Sequence, residues 1–65
     1  MRNTSKVKET IQTFWKIYRD HIPEDREGFM NACIEAMGDD PDQFTLDLCH
    51  AFRDQVQREW EESNR

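Results

Sequence analysis

Apolar side chains recur at helical spacing along the first third of this chain, and that periodicity restricts the fold more than any other feature. The pattern i, i+4, i+7, i+8, i+11, i+15 is met by Val7, Ile11, Phe14, Trp15, Tyr18 and Ile22. Such spacing places one broad apolar face along an α-helix. We therefore predict a first helix over residues 5–22, capped at its start by Thr4 or Ser5.

Two proline-containing breaks divide the rest of the chain into two further helices. Pro23 disfavours a helical residue before it and suits the first turn of the next helix, which we predict over 23–37. In the segment "MGDDPDQF", Gly38 is expected to end that helix. Asp40 is expected to cap the third helix, with Pro41 at its first position. This segment therefore predicts a helix end followed by a helix start.

The other side chains of the same segment fit that interpretation, with one exception. Asp42 favours the dipole of the third helix, and Gln43 completes a pattern similar to a capping box. Only Asp39 has no predicted local role. The third helix is predicted over residues 41–61, with a frayed tail after it and a core stripe made of Phe44, Leu48, Phe52 and Val56. Residues 1–65 thus form one all-α domain, a small antiparallel three-helix bundle.

The predicted helices carry more apolar surface than so small a core needs. The chain has 65 residues, of which 35% are hydrophobic and 35% charged, and short chains bury a small share of their surface. Internal packing between neighbouring helices is one use for the surplus. The other is contact with a protein, either a second copy in a homodimer or a different partner. The predicted contact residues are Met30, Ile34, Leu46, Cys49, Arg53 and Trp60.

Charge is distributed unevenly along the chain. Five basic residues face two acidic ones through His21, whereas four basic residues face twelve acidic ones from Ile22 onward. The acidic surface predicted from this excess comprises Glu35, Asp39, Asp42 and Asp47. Such a surface can steer the chain towards a basic partner.

The sequence offers no pattern typical of a metal site, a cofactor site or an enzyme. His21, Cys33, Cys49 and His50 lack the spacing of zinc ligands, and no nucleophile stands beside a base. We expect both cysteines to be buried free thiols, as in a reducing compartment. A chain that starts at Met1 without an apolar leader is expected to be a complete cytoplasmic product.

Three functional hypotheses remain, and protein binding leads them. In that hypothesis the chain is a stoichiometric regulator: an inhibitor, an anti-activator or an adaptor. The second hypothesis is a nucleic-acid-binding regulator that uses a basic ridge on the first helix, made of Lys8, Gln12, Trp15 and Arg19. The second and third helices superficially resemble a helix-turn-helix, but carboxylates at the start of the third oppose DNA binding. The third hypothesis is a structural subunit of a larger assembly.

Overall fold

A computed structural model describes residues 2–64, in which the chain forms three α-helices. They are α1 (Thr4–Asp20), α2 (Arg26–Met37) and α3 (Gln43–Ser63), and each helix packs against the other two. This arrangement confirms the predicted all-α three-helix bundle. The chain reverses twice, so α1 and α3 run in the same direction. The Lys6 ammonium lies 3.8 Å from the Asp42 carboxylate at one end of this pair, and Tyr18 donates a 2.6 Å hydrogen bond to Glu59 towards the other.

The core of the described bundle is narrow. The buried apolar side chains are Phe14, Phe29, Cys33, Cys49 and Val56, and those packed against them with partial burial are Ile17, Tyr18, Met30, Met37, Leu48 and Phe52. Both cysteines are buried free thiols, as the sequence predicts. On α3 the predicted stripe is partly wrong: Val56 is buried and Leu48 and Phe52 pack against the core, but Phe44 is exposed.

The first turn ends α1 earlier and starts α2 later than the sequence predicts. α1 stops at Asp20, and His21 has an extended backbone while its ring Nδ1 lies 2.7 Å from the Ile17 carbonyl. Pro23 lies in a turn closed by a 2.9 Å hydrogen bond from the Asp25 amide to the Ile22 carbonyl. Pro23 is the second residue of this four-residue β-turn, a position at which proline is favoured. The prediction that Pro23 begins the second helix is therefore wrong.

Asp25 is the residue that caps α2. Its side chain accepts a 3.1 Å hydrogen bond from the Gly28 amide. A Cβ atom added at Gly28 would overlap the Asp25 carboxylate, so glycine at this position leaves room for the cap. One acidic side chain, Glu27, also lies in the first turn, where the helix dipole favours negative charge.

The second turn confirms the predicted end of α2 and corrects the predicted start of α3. Gly38 has a φ of 71° and donates from its amide to the Ile34 carbonyl at 3.3 Å. Asp40 does not cap α3. Asp42 does: its Oδ1 accepts from the Thr45 amide at 2.9 Å and from the Thr45 hydroxyl at 2.6 Å. Gln43 donates to Asp47 instead of completing a capping box.

Replacing Asp42 with alanine should lower the melting temperature by about 5 °C, because the Thr45 amide loses its capping acceptor. The matched control is Asp40→Ala, which makes the same change two residues earlier and should leave the melting temperature within about 1 °C. Thermal unfolding followed by circular dichroism measures both. A larger loss for Asp40→Ala would assign the cap to Asp40, as the sequence alone predicts.

The two outer helix ends also differ from their predicted positions. Asn3, not Thr4 or Ser5, caps α1 by accepting a 3.1 Å hydrogen bond from the Lys6 amide. α3 continues to Ser63, two residues beyond the predicted end at 61. Asn64 closes it, since its amide and its side-chain Nδ2 both donate to the Trp60 carbonyl. The tail that was predicted to fray is therefore helical as far as Ser63.

Candidate functional site

The predicted contact residues of α2 and α3 are placed unevenly by the fold. Met30 and Arg53 line one groove between the two helices, together with Gln57 and Val56. Ile34 is 56% exposed on α2, and Leu46 is half-buried on α3. These side chains reach the surface on the side where α2 meets α3, as a contact surface requires.

Cys49 does not belong to that surface. It is only 5% exposed and lies in the core with Cys33 of α2. Burial raises the pKa of the Cys33 thiol to about 12, and the neighbouring Cys49 thiol adds to this rise. Because the thiolate is the reactive form of cysteine, Cys33 is a poor nucleophile in the folded chain. The inclusion of Cys49 among the partner-contacting residues is therefore wrong.

Trp60 is partly covered by the chain itself. The Arg26 guanidinium lies 5.1 Å from the centre of the Trp60 ring, in a cation–π contact. It also donates a hydrogen bond to the side-chain oxygen of Gln57. These contacts join the start of α2 to the end of α3. Trp60 keeps some exposure, but its ring already has an intramolecular partner, which a docking protein would have to share or displace.

The four predicted acidic residues are all exposed: Glu35, Asp39, Asp42 and Asp47. Asp42 caps α3, and hydrogen bonds from Thr45, with a smaller effect of Lys6, hold its pKa below the ordinary range. Asp47 accepts a 2.8 Å hydrogen bond from Gln43. Two members of the acidic surface thus have local structural roles, and Glu35 and Asp39 stand as exposed charges on and after α2.

An exposed apolar feature lies on α1, within the apolar face that the sequence predicts. Val7, Ile11 and Trp15 are 43%, 44% and 52% exposed. We call these three residues the α1 stripe. They are spaced four residues apart, so at about 100° per residue they fall within an arc of about 80°. The stripe is therefore one continuous strip of apolar surface, not three scattered side chains.

The buried edge of α1 is centred on Phe14, and Trp15 lies about 100° away from it. Val7 projects between Phe14 and Tyr18, but it lies near the start of the helix. Phe14 is 1% exposed, and Ile17 and Tyr18 pack against the core. Ile17 is absent from the predicted apolar face, which includes Val7, Ile11 and Trp15. The Phe14–Ile17 edge of the helix is therefore the one that is buried.

Trp15 is held in place from one side. Its ring lies 5.8 Å from the Tyr18 ring, which lies 5.4 Å from the Phe52 ring of α3. Tyr18 is in turn fixed by its hydrogen bond to Glu59, which is the main cause of its raised pKa. An aromatic side chain that is anchored on one face and open on the other loses little freedom when a partner covers it.

Basic side chains border the α1 stripe. Lys8 lines a shallow groove together with Val7, Ile11 and Gln12. Arg19 lies on the same side of the helix and is exposed, with its Nε 3.2 Å from the Asp20 carboxylate. The predicted basic ridge of Lys8, Gln12, Trp15 and Arg19 is therefore on the surface, and the α1 stripe lies alongside it.

Metal and membrane sites find no support in the described part of the chain. Residues 2–64 contain no group of three or more histidine, cysteine or carboxylate side chains placed to hold a metal ion. Over the same residues, each helix is either too short or too polar to cross a bilayer. Comparison with known proteins finds no matching family model, no matching curated protein and no matching solved structure.

Proposed function

We propose that this chain is a small helical regulator that binds another protein stoichiometrically through the α1 stripe. The observation that carries the proposal is the exposure of Val7, Ile11 and Trp15 on one side of one helix. Contiguous apolar surface of this kind is typical of protein interaction sites. Binding, and not catalysis, is the activity proposed, in the manner of an inhibitor, an anti-activator or an adaptor.

The exposed area of the folded chain is large for its mass, which is consistent with the proposal that a partner covers part of it. The folded chain exposes 5176 Å², whereas a compact monomer of its mass exposes roughly 4,400 Å². The excess is roughly 800 Å², and the elongated shape of the chain, 47 × 19 × 18 Å, contributes to it. A partner on the α1 stripe would cover part of this excess.

The α2–α3 side offers a second contact area for the same function. Met30, Ile34, Leu46 and Arg53 reach its surface, and the exposed Glu35 and Asp39 follow on α2 and after it. We propose that this side adds charge-dependent contacts with a basic partner surface. It ranks below the α1 stripe because Trp60 and Cys49 are already used inside the fold.

Nucleic-acid binding is the second candidate function, favoured by Lys8, Trp15 and Arg19 lying exposed on one helix. An aromatic ring beside cations can stack on a base. Two observations weaken this candidate: Asp20 pairs with Arg19, and the chain carries a net charge of -5. Duplex and single-stranded oligonucleotides should therefore show no salt-dependent binding in fluorescence anisotropy.

Self-association and assembly remain proposals of lower rank. Cys49 of the α3 flank, which favours a homodimer in the sequence, is buried in the core. No feature of the described residues favours a structural subunit over a regulator. We further propose a cytoplasmic location, supported by the two free thiols.

Affinity capture from the source cell tests the proposed function, with Ile11→Glu as the decisive variant. A charge placed in the middle of the α1 stripe should remove at least nine-tenths of the specific partner signal, since burying an unpaired carboxylate opposes binding. Quantitative mass spectrometry of wild-type and variant captures gives the ratio.

The matched control is Ile34→Glu, the same change at a similarly exposed position on α2. It should keep at least half of the partner signal, and both variants should keep the helical circular dichroism of the wild type. If Ile34→Glu removes the partner and Ile11→Glu does not, the binding surface is the α2–α3 side. If neither variant changes any captured protein, the proposed use of the α1 stripe is wrong.

A further inference from the structure

The shape of the α1 stripe restricts what can cover it. From Val7 to Trp15 the stripe extends over eight residues, or about 12 Å of helix. It is a ridge on one helix, and the shallow groove beside Val7 and Ile11 is lined by Lys8 and Gln12 and, at the start of the helix, by Arg2, Asn3 and Thr4. A second amphipathic helix laid along this ridge would match its length with about two turns of its own apolar side chains.

The charge beside the stripe selects among such helices. On a helical projection Lys8, Arg19 and Gln12 follow Trp15 within an arc of about 60°, and no carboxylate of α1 falls within it. Glu9 lies further around, beside Lys16, Gln12 and Thr13 in a separate depression. Arg19 is partly neutralised by Asp20. This edge of the stripe is therefore basic, with Lys8 on it and Arg2 lining the same shallow groove. On the side that faces α3, the Glu59 carboxylate accepts the hydrogen bond from Tyr18.

A basic border opposes two of the alternative occupants. In an antiparallel two-fold pairing of α1 with a second copy, the Lys8 edge would meet the same edge of the other chain, and like charges would repel. A nucleic acid would satisfy the charge but not the aliphatic side chains of Val7 and Ile11, which cannot stack on bases as an aromatic ring does. An acidic helix satisfies both the charge and the apolar surface.

We propose that the α1 stripe receives an amphipathic helix of a partner protein whose flanks carry carboxylates. Its apolar residues cover Val7, Ile11 and Trp15, and an acidic side chain at its edge pairs with Lys8. This inference rests on the proposed function and narrows the class of partner from any protein to one that presents an acidic amphipathic helix.

Two synthetic helical peptides test the inference on the full-length chain. Both carry leucine at helical spacing; one has glutamate on both flanks and the other has lysine at the same positions. Isothermal titration calorimetry at low salt should show the glutamate peptide binding about fivefold more tightly than the lysine peptide. The difference should largely vanish at about 1 M salt, where exposed charges are screened.

Charge reversal at Lys8 supplies the sharper comparison. Lys8→Glu should abolish or invert the preference for the glutamate peptide. Lys16→Glu is the matched control, because it makes the same charge change on the same helix but beside Glu9, away from the stripe. Lys16→Glu should keep the preference, and amide NMR shifts on binding should concentrate on α1 in both wild type and control.

Each result that contradicts the inference indicates a different occupant of the α1 stripe. Equal binding of the two peptides, or a preference that Lys8→Glu leaves unchanged, overturns the acidic helix. A dimer in sedimentation equilibrium that Trp15→Glu dissociates overturns it in favour of a second copy. A single-stranded oligonucleotide that binds more tightly than the glutamate peptide, and competes with it, overturns it in favour of nucleic acid.

Failure of the inference and failure of the proposed function give different results. The captured partner could depend on Ile11 but contact α1 through a basic or non-helical segment. That result would support the proposed function and contradict the acidic helix. The absence of any Ile11-dependent partner in the capture experiment removes the proposed function itself.

Discussion

Replacing Phe29 with alanine should lower the free energy of unfolding by about 3–5 kcal/mol, which is enough to leave much of the chain unfolded. Phe29 is 1% exposed and belongs to a core of five buried side chains in the described residues. Its ring also receives the edge of His21 at a centroid distance of 6.3 Å. A bundle this narrow has few side chains that can move to fill the cavity. Urea unfolding followed by circular dichroism measures the loss.

Phe44→Ala is the matched control for this prediction. It deletes the same side chain from α3, where Phe44 is 38% exposed. The loss should be about 1 kcal/mol or less, because the side chain gives up little buried area. If Phe29→Ala is already largely unfolded without urea, its free energy of unfolding cannot be measured. Phe29→Leu should then give a smaller, measurable loss in the free energy of unfolding. Equal losses for Phe44→Ala and Phe29→Ala would contradict the burial that separates the two residues.

The number and order of the helices are predictable from the sequence because periodicity and breakers agree. Pro23 and Gly38 stand between three apolar-periodic segments, and each segment is helical in the structure. Gly38 carries the positive φ expected of a glycine at a helix end. These signals are local, so they do not depend on how the helices pack.

The caps are less predictable because several candidates stand close together. Asp40 and Asp42 flank Pro41, and both residue types suit an N-cap. The structure selects Asp42 because Thr45 gives it two donors, the amide and the hydroxyl. At the first turn, Asp25 follows Pro23 by two residues and caps α2 in the same way. In each case the proline lies before the cap, in the turn, and not inside the helix.

The candidate site is less predictable, because periodicity does not say which part of an apolar face the neighbouring helices cover. The apolar arc of α1 runs continuously from Ile17 through Phe14 and Tyr18 to Trp15, which is wider than two neighbouring helices cover. Periodicity identifies that arc but not which edge is buried. Packing buries Phe14 and Ile17. Trp15 is left exposed on the far edge of the arc, and Val7 and Ile11 are left exposed towards the start of the helix. The exposed stripe could be found only once the neighbours of α1 were known.

The same ambiguity explains why the sequence does not decide whether Cys49 is buried or exposed. On α3 it lies between the predicted core stripe and the flank with Leu46 and Trp60, so the pattern allows either placement. Contact between α2 and α3 draws Cys49 inwards beside Cys33. The flank of α3 consequently has less apolar surface to offer than the sequence indicates, and α1 has more.

Stability should fall as the pH rises from about 9 towards 12, because the Cys33 thiol keeps its proton in the folded chain. Burial, with the Cys49 thiol adding to it, raises the pKa of Cys33 from 9.0 to about 12. Between those values the unfolded chain has lost the thiol proton and the folded chain has not, so each rise in pH favours unfolding. The contribution is complete below pH 9 and is lost progressively as the pH approaches 12.

Urea unfolding of wild type and Cys33→Ala at pH 8, 9 and 10 tests this dependence. Cys33→Ala should be less stable at pH 8 but should lose less stability on going to pH 10. Tyr18 requires its own control, since its hydrogen bond to Glu59 raises its pKa and makes stability fall in the same direction; Tyr18→Phe removes that contribution and keeps the thiol. At pH 8, Cys33 in the folded wild type should also resist thiol-labelling reagents. A pH dependence that is as steep in Cys33→Ala as in wild type would show that the buried thiol is not its source.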